Sequence, residues 1–182
     1  MDVRSPTERL QELLPQLFDS DRALGDRYLL FQLLPGIKVA IPLDLVWEAT
    51  ILPATAITPI PQMPSCVLGW HNGRDRVYCV LGLAELLGLG MLSKIPQQYP
   101  TIIVQVPATE QNPISENNPR LLGITVNQIL RTVSVNQAEM TPPIGEFPAM
   151  LTPYIQACFP REQEEIAILD WTAITNKIMQ LQ

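Results

Sequence analysis

The chain has 182 residues, of which 47% are hydrophobic, and this length is sufficient to bury one substantial core. Twelve basic residues against 18 acidic ones give a net charge of -6, which disfavours nucleic acid and anionic lipid as partners. No apolar run approaches the roughly 20 residues that cross a bilayer, and the start MDVRSPTERL is polar, so we expect a cytoplasmic protein without membrane insertion.

The 18 prolines are spread along the chain and limit the length of any helix. Proline lacks the amide donor of a helix interior, and its ring clashes with the preceding turn. Short strands joined by many turns are therefore the expected architecture.

The first segment predicts a helical arm. Ser5, Pro6 and Glu8 provide a cap, a first-turn proline and a capping-box glutamate. Apolar residues follow at helical spacing: Leu10, Leu13, Leu14, Leu17 and Phe18. We predict that residues 1–26 form this arm and a polar joint, and that the arm packs on the body or docks on a partner.

From residue 27 the apolar pattern changes to that of strands. Residues 28–34 and 37–41 flank a Pro35-Gly36 turn and predict a hairpin. A third extended run, 46–52, leads into a proline-rich connection at 58–64, which the prolines hold extended. If Val46 and Glu48 face outward, strand alternation turns Trp47 inward.

The dipeptide Asn72-Gly73 predicts a second hairpin, whose tight turn would place Arg74 at the start of the strand 76–81. The five guanidinium donors of Arg74 would then reach backbone carbonyls of the proline-rich connection. A short helical turn is expected at residues 84–87.

The second half repeats the pattern. Strands are predicted at 101–106, 121–126 and 129–135, and segments 154–159 and 166–169 are predicted to pair as a hairpin. Asp170 is predicted to cap a final helix from Trp171 to about Leu181. In total, we predict nine or ten short strands with two peripheral helices, and therefore a mainly β protein built of small barrels.

Catalytic chemistry has little support in the sequence. An enzyme would have to use His71, the only histidine, with Cys66 or Cys79 as nucleophile, and no orienting carboxylate stands at a suitable spacing. The three cysteines include no C-x-x-C pair, which favours reduced thiols over a disulfide or zinc site. The acidic run at 162–165 is interpreted as a solvated hairpin tip, and the tryptophans as core residues. We therefore expect no enzyme activity, no cofactor and no metal.

The order of these features resembles the CheW-like family, the scaffold proteins of bacterial chemoreceptor arrays. The resemblance is carried by YLLFQLLPGIKVAIP, by the Val-x-Glu segment at 46–48, by TPIPQMPSCVLG at 58–69, and by the Gly-x-x-Asn-x-Arg pattern of Gly69, Asn72 and Arg74. It continues through Leu87-Gly88, residues 123–126 and the closing Ile168-Leu169-Asp170. The segment MPSCVLGW is similar to sequences of the cyanobacterial branch that serves pilus (twitching) motility and phototaxis.

This resemblance implies a CheW-like domain over residues 27–182, made of two interleaved five-stranded SH3-like β-barrels that share an apolar seam. It implies a non-enzymatic adaptor in chemotaxis, phototaxis or twitching-motility signalling. The implied partners are the regulatory domain of a CheA-type histidine kinase and the cytoplasmic tip of a chemoreceptor. The implied partner-binding residues are Val46, Glu48, Gly69, Asn72 and Arg74.

Four positions depart from the family pattern and put individual contacts in doubt: Asp75, Cys79, Gly82 and Asn127. A rival interpretation is a small-barrel ligand-binding or oligomer-assembly module that has no receptor partner. Co-purification of a histidine kinase together with a receptor separates the two, since the rival predicts neither.

Overall fold

The computed structural model describes residues 25–73, 76–90, 96–106, 120–143 and 147–181. Its described part is mainly β, with short 3-10 turns between several strands. The elements, in chain order, are β1 (Asp26–Leu34), β2 (Ile37–Pro42), β3 (Val46–Pro53), β4 (Ile57–Thr58), β5 (Val67–Gly73), β6 (Arg76–Gly82), α1 (Leu83–Leu86), β7 (Gln98–Val106), β8 (Arg120–Thr125), β9 (Gln128–Val135), β10 (Ile155–Arg161), β11 (Glu164–Leu169) and α2 (Trp171–Met179).

The strands form two sheets that interleave along the chain. The first sheet has the order β10-β11-β2-β1-β9 and so combines the beginning and the end of the described chain. The second sheet has the order β3-β7-β8-β6-β5-β4 and is built from the middle. Each sheet contains one parallel pair, β2 with β11 and β6 with β8. The sixth strand of the second sheet is the two-residue β4, which the sequence analysis did not count.

A shared apolar core joins the two sheets. In β1, Leu29, Phe31 and Leu33 face this core, and in β7 Ile102 and Val104 do so from the other sheet. Residues at alternate positions of a strand point to the same face, so each of these strands offers one face to the common core. The predicted apolar seam between the two halves is confirmed.

The opposite face of each sheet encloses a smaller core of its own. In the first sheet this core includes Tyr28, Leu30 and Phe159, and in the second it includes Tyr78 and Ile103. Each small core is limited in size, and small cores rarely stabilise a fold alone. The shared core therefore contributes to the stability of both halves.

Side chains join the two edges of the first sheet. Among the described residues no backbone ladder connects β9 with β10, but Arg161 donates through Nη2 to the Ser134 carbonyl oxygen at 2.7 Å. Arg131 of β9 lies 2.6 Å from Glu162 at the tip of the β10–β11 hairpin. These contacts bring the first and last strands of the sheet together.

Several local predictions are confirmed. Tyr28 pairs with Pro42 across the first hairpin, and Gly36 takes a positive φ of 82° in its turn. The final helix begins after Asp170, whose Oδ1 accepts a hydrogen bond from the Ala173 amide at 3.0 Å. The predicted N-terminal helix lies outside the described residues.

The predicted tight turn at Asn72-Gly73 is wrong. Both residues belong to β5, where Asn72 pairs with Val77 and Gly73 pairs with Arg76. The connection thus falls at residues 74–75, outside the described part of the chain. The glycine at position 73 is explained by a neighbouring side chain and not by a turn. A Cβ atom there would lie 2.9 Å from Nε2 of His71, so glycine leaves room for the imidazole.

Candidate interaction surfaces

Strand β3 forms one edge of the second sheet and carries Val46 and Glu48. A β-bulge lies between these two positions, since Val46 pairs with Val104 and Glu48 with the adjacent Ile103. Val46 is half-buried and packs against the shared core, whereas Ile103 belongs to the core of the second sheet. The bulge therefore separates the two predicted contact residues onto different faces.

Trp47, between them, is 48% exposed. The prediction that alternation turns Trp47 inward is wrong, because the bulge interrupts the alternation at Trp47 and leaves its side chain exposed. Trp70 is 47% exposed, so its assignment to the core is also wrong. Trp171 is buried in the shared core as predicted.

Glu48 stands at the mouth of the second sheet's small core. The mouth is lined by residues of β3, β5 and β6, among them Glu48, Thr50, Gly73, Arg76 and Tyr78. Burial raises the pKa of Tyr78, and the negative charge of Glu48 raises it further. The Glu48 carboxylate is thus close enough to act on a group of the neighbouring hairpin, and it remains half-buried at an accessible opening.

Arg76 and Trp47 meet across the same mouth. The guanidinium carbon of Arg76 lies 5.4 Å from the centre of the Trp47 ring. A cation over an indole face at this distance is attracted by the ring quadrupole. The start of β6 and the bulged end of β3 are therefore held together by side chains.

Gly69 is buried and supports the site through the backbone. Its φ is 147°, and a Cβ atom there would lie only 2.1 Å from the Thr58 carbonyl oxygen. Glycine is the residue that permits this close crossing of β5 and β4. Gly69 offers no side-chain surface to a partner, so any part it takes in binding is indirect.

Asn72 is exposed on β5, directly opposite Val77. Val77 is 64% exposed, and Trp70 lies two residues before Asn72 on the same strand. Residues i and i+2 of a strand share a face, so these three side chains form one exposed patch. Arg74, the fifth predicted contact residue, lies outside the described residues.

An apolar groove lies where the two sheets adjoin. Its lining includes Leu33 and Leu34 of the first sheet, Tyr99 and Pro100 of the second, and Val126. At its rim the Asn127 side chain donates to Gln32 Oε1 at 2.9 Å. Asn127 is one of the four departures from the family pattern, and here it links the two sheets.

His71 has a structural environment. Its Nδ1 lies 2.8 Å from the Ala56 carbonyl oxygen, and its ring centre lies 5.3 Å from that of Tyr78. The three cysteines are free thiols; Cys66 and Cys158 are buried, and burial raises the pKa of each. In the part of the chain that the structure describes, no three His, Cys, Asp or Glu side chains are grouped as metal ligands.

The acidic run forms the tip of the β10–β11 hairpin, as interpreted from the sequence. Glu162 and Gln163 take positive φ angles of 49° and 69° in this turn. Hydrogen bonding to Arg131 lowers the pKa of Glu162, and Lys38 Nζ lies 2.5 Å from Glu164 Oε2. The tip is thus held by surface ion pairs.

The exposed apolar positions of β3, β5 and β6 were missed by the sequence analysis. They are Trp47, Ile51, Trp70 and Val77. In the sequence of β3, Trp47, Ala49, Ile51 and Pro53 alternate with Glu48, Thr50 and Leu52. The sequence therefore offered two sets of residues that could face inward. Only the pairing with β7 shows which set faces inward.

Together, these features define a β protein whose accessible features are strand edges, an apolar groove and exposed aromatic side chains. The chain matches the CheW-like domain family over residues 27–179, and it belongs to that family. Among solved structures it is similar to the scaffolding protein TtCheW from Thermoanaerobacter tengcongensis, with 18% identity and a TM-score of 0.61. That match covers 81% of this chain and 85% of the other, and it supports the fold. No curated protein sequence matches the chain. No helix in the described ranges is long and apolar enough to span a membrane.

Proposed function

We propose that this chain is a non-enzymatic scaffold that couples chemoreceptors to a CheA-type histidine kinase in chemotaxis-type signalling. The observation that carries this proposal is the family match, which extends over residues 27–179 and so includes both sheets. A scaffold acts through surfaces, and the described surfaces include apolar and aromatic positions that a partner can cover. The protein would carry out this role in the cytoplasm.

The kinase regulatory domain is proposed to bind the end of the second sheet where β3 meets the β5–β6 hairpin. Glu48 lines the mouth at this end together with Gly73 and Arg76, and Asn72 immediately precedes Gly73. Arg74 follows Gly73 in the chain, so three of the five residues implied by the resemblance are close in sequence or in space. This grouping supports a single contact region there, with Gly69 shaping the backbone behind it.

The receptor's helical tip is proposed to bind the apolar groove between the two sheets. An amphipathic helix buries its apolar face in such a groove, and the half-buried Leu34 and Pro100 provide apolar surface for it. The two proposed regions share no lining residue, so one scaffold could hold both partners at once.

The chain is proposed to belong to the phototaxis and pilus-motility branch of the family. The support is the segment MPSCVLGW, at residues 63–70, in which Met63 and Trp70 are exposed. Capture of a photoreceptor-type or a pilus-associated receptor would support this assignment, and capture of a receptor for soluble attractants alone would contradict it.

The coupling function is tested by reconstitution. The purified chain is mixed with a CheA-type kinase and a receptor cytoplasmic fragment from the same organism, and co-sedimentation of the three proteins is measured together with kinase autophosphorylation. We expect a ternary complex and receptor-dependent kinase activity only when the chain is present. Binding of neither protein would overturn the proposal and favour the rival ligand-binding or assembly module.

A further inference from the structure

The outward positions of β3 form an apolar strip. Beyond the bulge, Ala49, Ile51 and Pro53 occupy alternate positions on one face of the strand, and all three are exposed. Ile51 is 59% exposed, which is high for an isoleucine in a strand. The outward positions of a sheet that faces water are normally polar, so this strip resembles a face that something covers.

The strip continues the surface of the shared core. Ala49 pairs with Ile102 of β7, and directly opposed residues of neighbouring strands lie side by side on one face. Ile102 is fully buried in the shared core, whereas Ala49 is exposed. Burial of this face by the rest of the protein therefore ends between β7 and β3. A further element packed on β3 would bury the strip.

We propose that the N-terminal arm, residues 5–18, docks its apolar stripe on the apolar strip of β3. The arm has five large apolar side chains at helical spacing, at positions 10, 13, 14, 17 and 18. A helix of this length would extend about 20 Å, and the strip from Ala49 to Pro53 extends about 13 Å. The arm is thus long enough to cover the whole strip.

The point where the described chain begins is suitably placed. Tyr28 of β1 pairs with Pro42, and the 3-10 turn Leu43–Leu45 leads from Pro42 directly into β3. The start of β1 is thus separated from the strip by the end of β2 and one short turn. The polar joint, residues 19–25, extends up to about 23 Å, which is sufficient for the arm to return along β3.

Quenching of a tryptophan on the strip tests the docking directly. In an Ile51→Trp variant that also carries Trp47→Phe and Trp70→Phe, only the tryptophan at position 51 and the buried Trp171 emit, so acrylamide quenching reports chiefly on the strip. We expect Leu17→Glu to increase quenching by releasing the arm, whereas Gln16→Glu, on the polar side of the predicted helix, leaves it unchanged. Equal quenching in the two variants would overturn the proposal, as would a dependence of quenching on protein concentration, which indicates a second copy on the strip.

Substitution of the strip provides the reciprocal experiment. Ile51→Glu is expected to accelerate trypsin cleavage after Arg9 several-fold, because an undocked arm enters the active site of the protease more readily. Val77→Glu is the matched control, since it places the same charge at an exposed apolar strand position outside the strip. Identical cleavage rates, with both variants folded by circular dichroism, would contradict the docking. Both experiments use the chain alone, so their outcome is independent of the proposed coupling function.

Discussion

Arg76 lies over the indole ring of Trp47, with 5.4 Å between its guanidinium carbon and the ring centre. The two residues belong to β6 and β3, which are separated in the sheet by β7 and β8. The contact therefore joins strands that the backbone ladder does not join. It also shields one face of the indole, whose side chain is nevertheless 48% exposed.

This contact predicts a measurable coupling energy. We expect the free energies of unfolding of Trp47→Ala, Arg76→Ala and the double variant to give about 0.5–1 kcal/mol of coupling, the usual size for an exposed cation over an aromatic ring. Arg76→Lys should retain part of it, because the charge remains. Strictly additive effects in urea denaturation would mean that the two side chains do not stabilise each other.

Gly69 is predicted to be intolerant of any side chain. Gly69→Ala would drive a Cβ atom to 2.1 Å from the Thr58 carbonyl oxygen, in a backbone conformation that L-residues avoid. We expect a loss of about 2–4 kcal/mol of stability in urea denaturation. Gly36→Ala is the control, since Gly36 also has a positive φ but no atom within 4 Å of the added Cβ, and it should cost only about 1–2 kcal/mol. Similar losses for both would show that the close approach to Thr58 is unimportant.

Glu48 is predicted to affect binding more than folding. Glu48→Gln preserves the shape of the side chain and removes its charge from the mouth where β3 meets the β5–β6 hairpin. We expect weaker binding of the kinase regulatory domain in calorimetry, with little change in melting temperature. Glu164→Gln serves as the charge-matched control at the hairpin tip of the other sheet. Unchanged affinity for Glu48→Gln would remove this residue from the contact region.

Cys158 predicts a loss of stability at alkaline pH. Burial, followed by the nearby Glu165, raises the pKa of its thiol to about 11, above the ordinary thiol value of 9.0. The folded state therefore holds this proton more tightly, so its contribution is complete below about pH 9 and is lost as the pH rises toward 11. Urea midpoints measured across this range should fall less steeply for Cys158→Ala than for the unchanged chain. Parallel curves would contradict the assignment, whereas the buried tyrosines affect both proteins alike.

The elements that could be predicted from sequence are those with strong local signals. Pro35-Gly36 marks a turn and Asp170 caps a helix wherever they occur, and both predictions are confirmed. The turn and the cap depend on neighbouring residues, which a single sequence contains. The shared core was implied by the resemblance to the CheW-like family.

The candidate site was harder to predict because it depends on strand pairing. The bulge at β3 exists only relative to β7, and it decides that Trp47 is exposed while Val46 and Glu48 are half-buried. Gly73 gave a turn signal, yet its lack of a side chain accommodates the ring of His71. Local sequence patterns could not predict the exposure of Trp47 or the role of Gly73, because both are fixed by contacts between residues of different strands.

The parallel pairing of β2 with β11 also constrains how the protein acquires its structure during synthesis. Val39 lies beside Ala167, so β2 cannot pair with β11 until the segment that contains Ala167 has also left the ribosome. The middle strands of the second sheet emerge before then and can pair while the first sheet is incomplete. Until that moment the β2 edge of the first hairpin lacks its partner strand, and an unpaired edge exposes backbone donors and acceptors to other chains. Deletions near the end of the chain should consequently harm its first hairpin as much as its last.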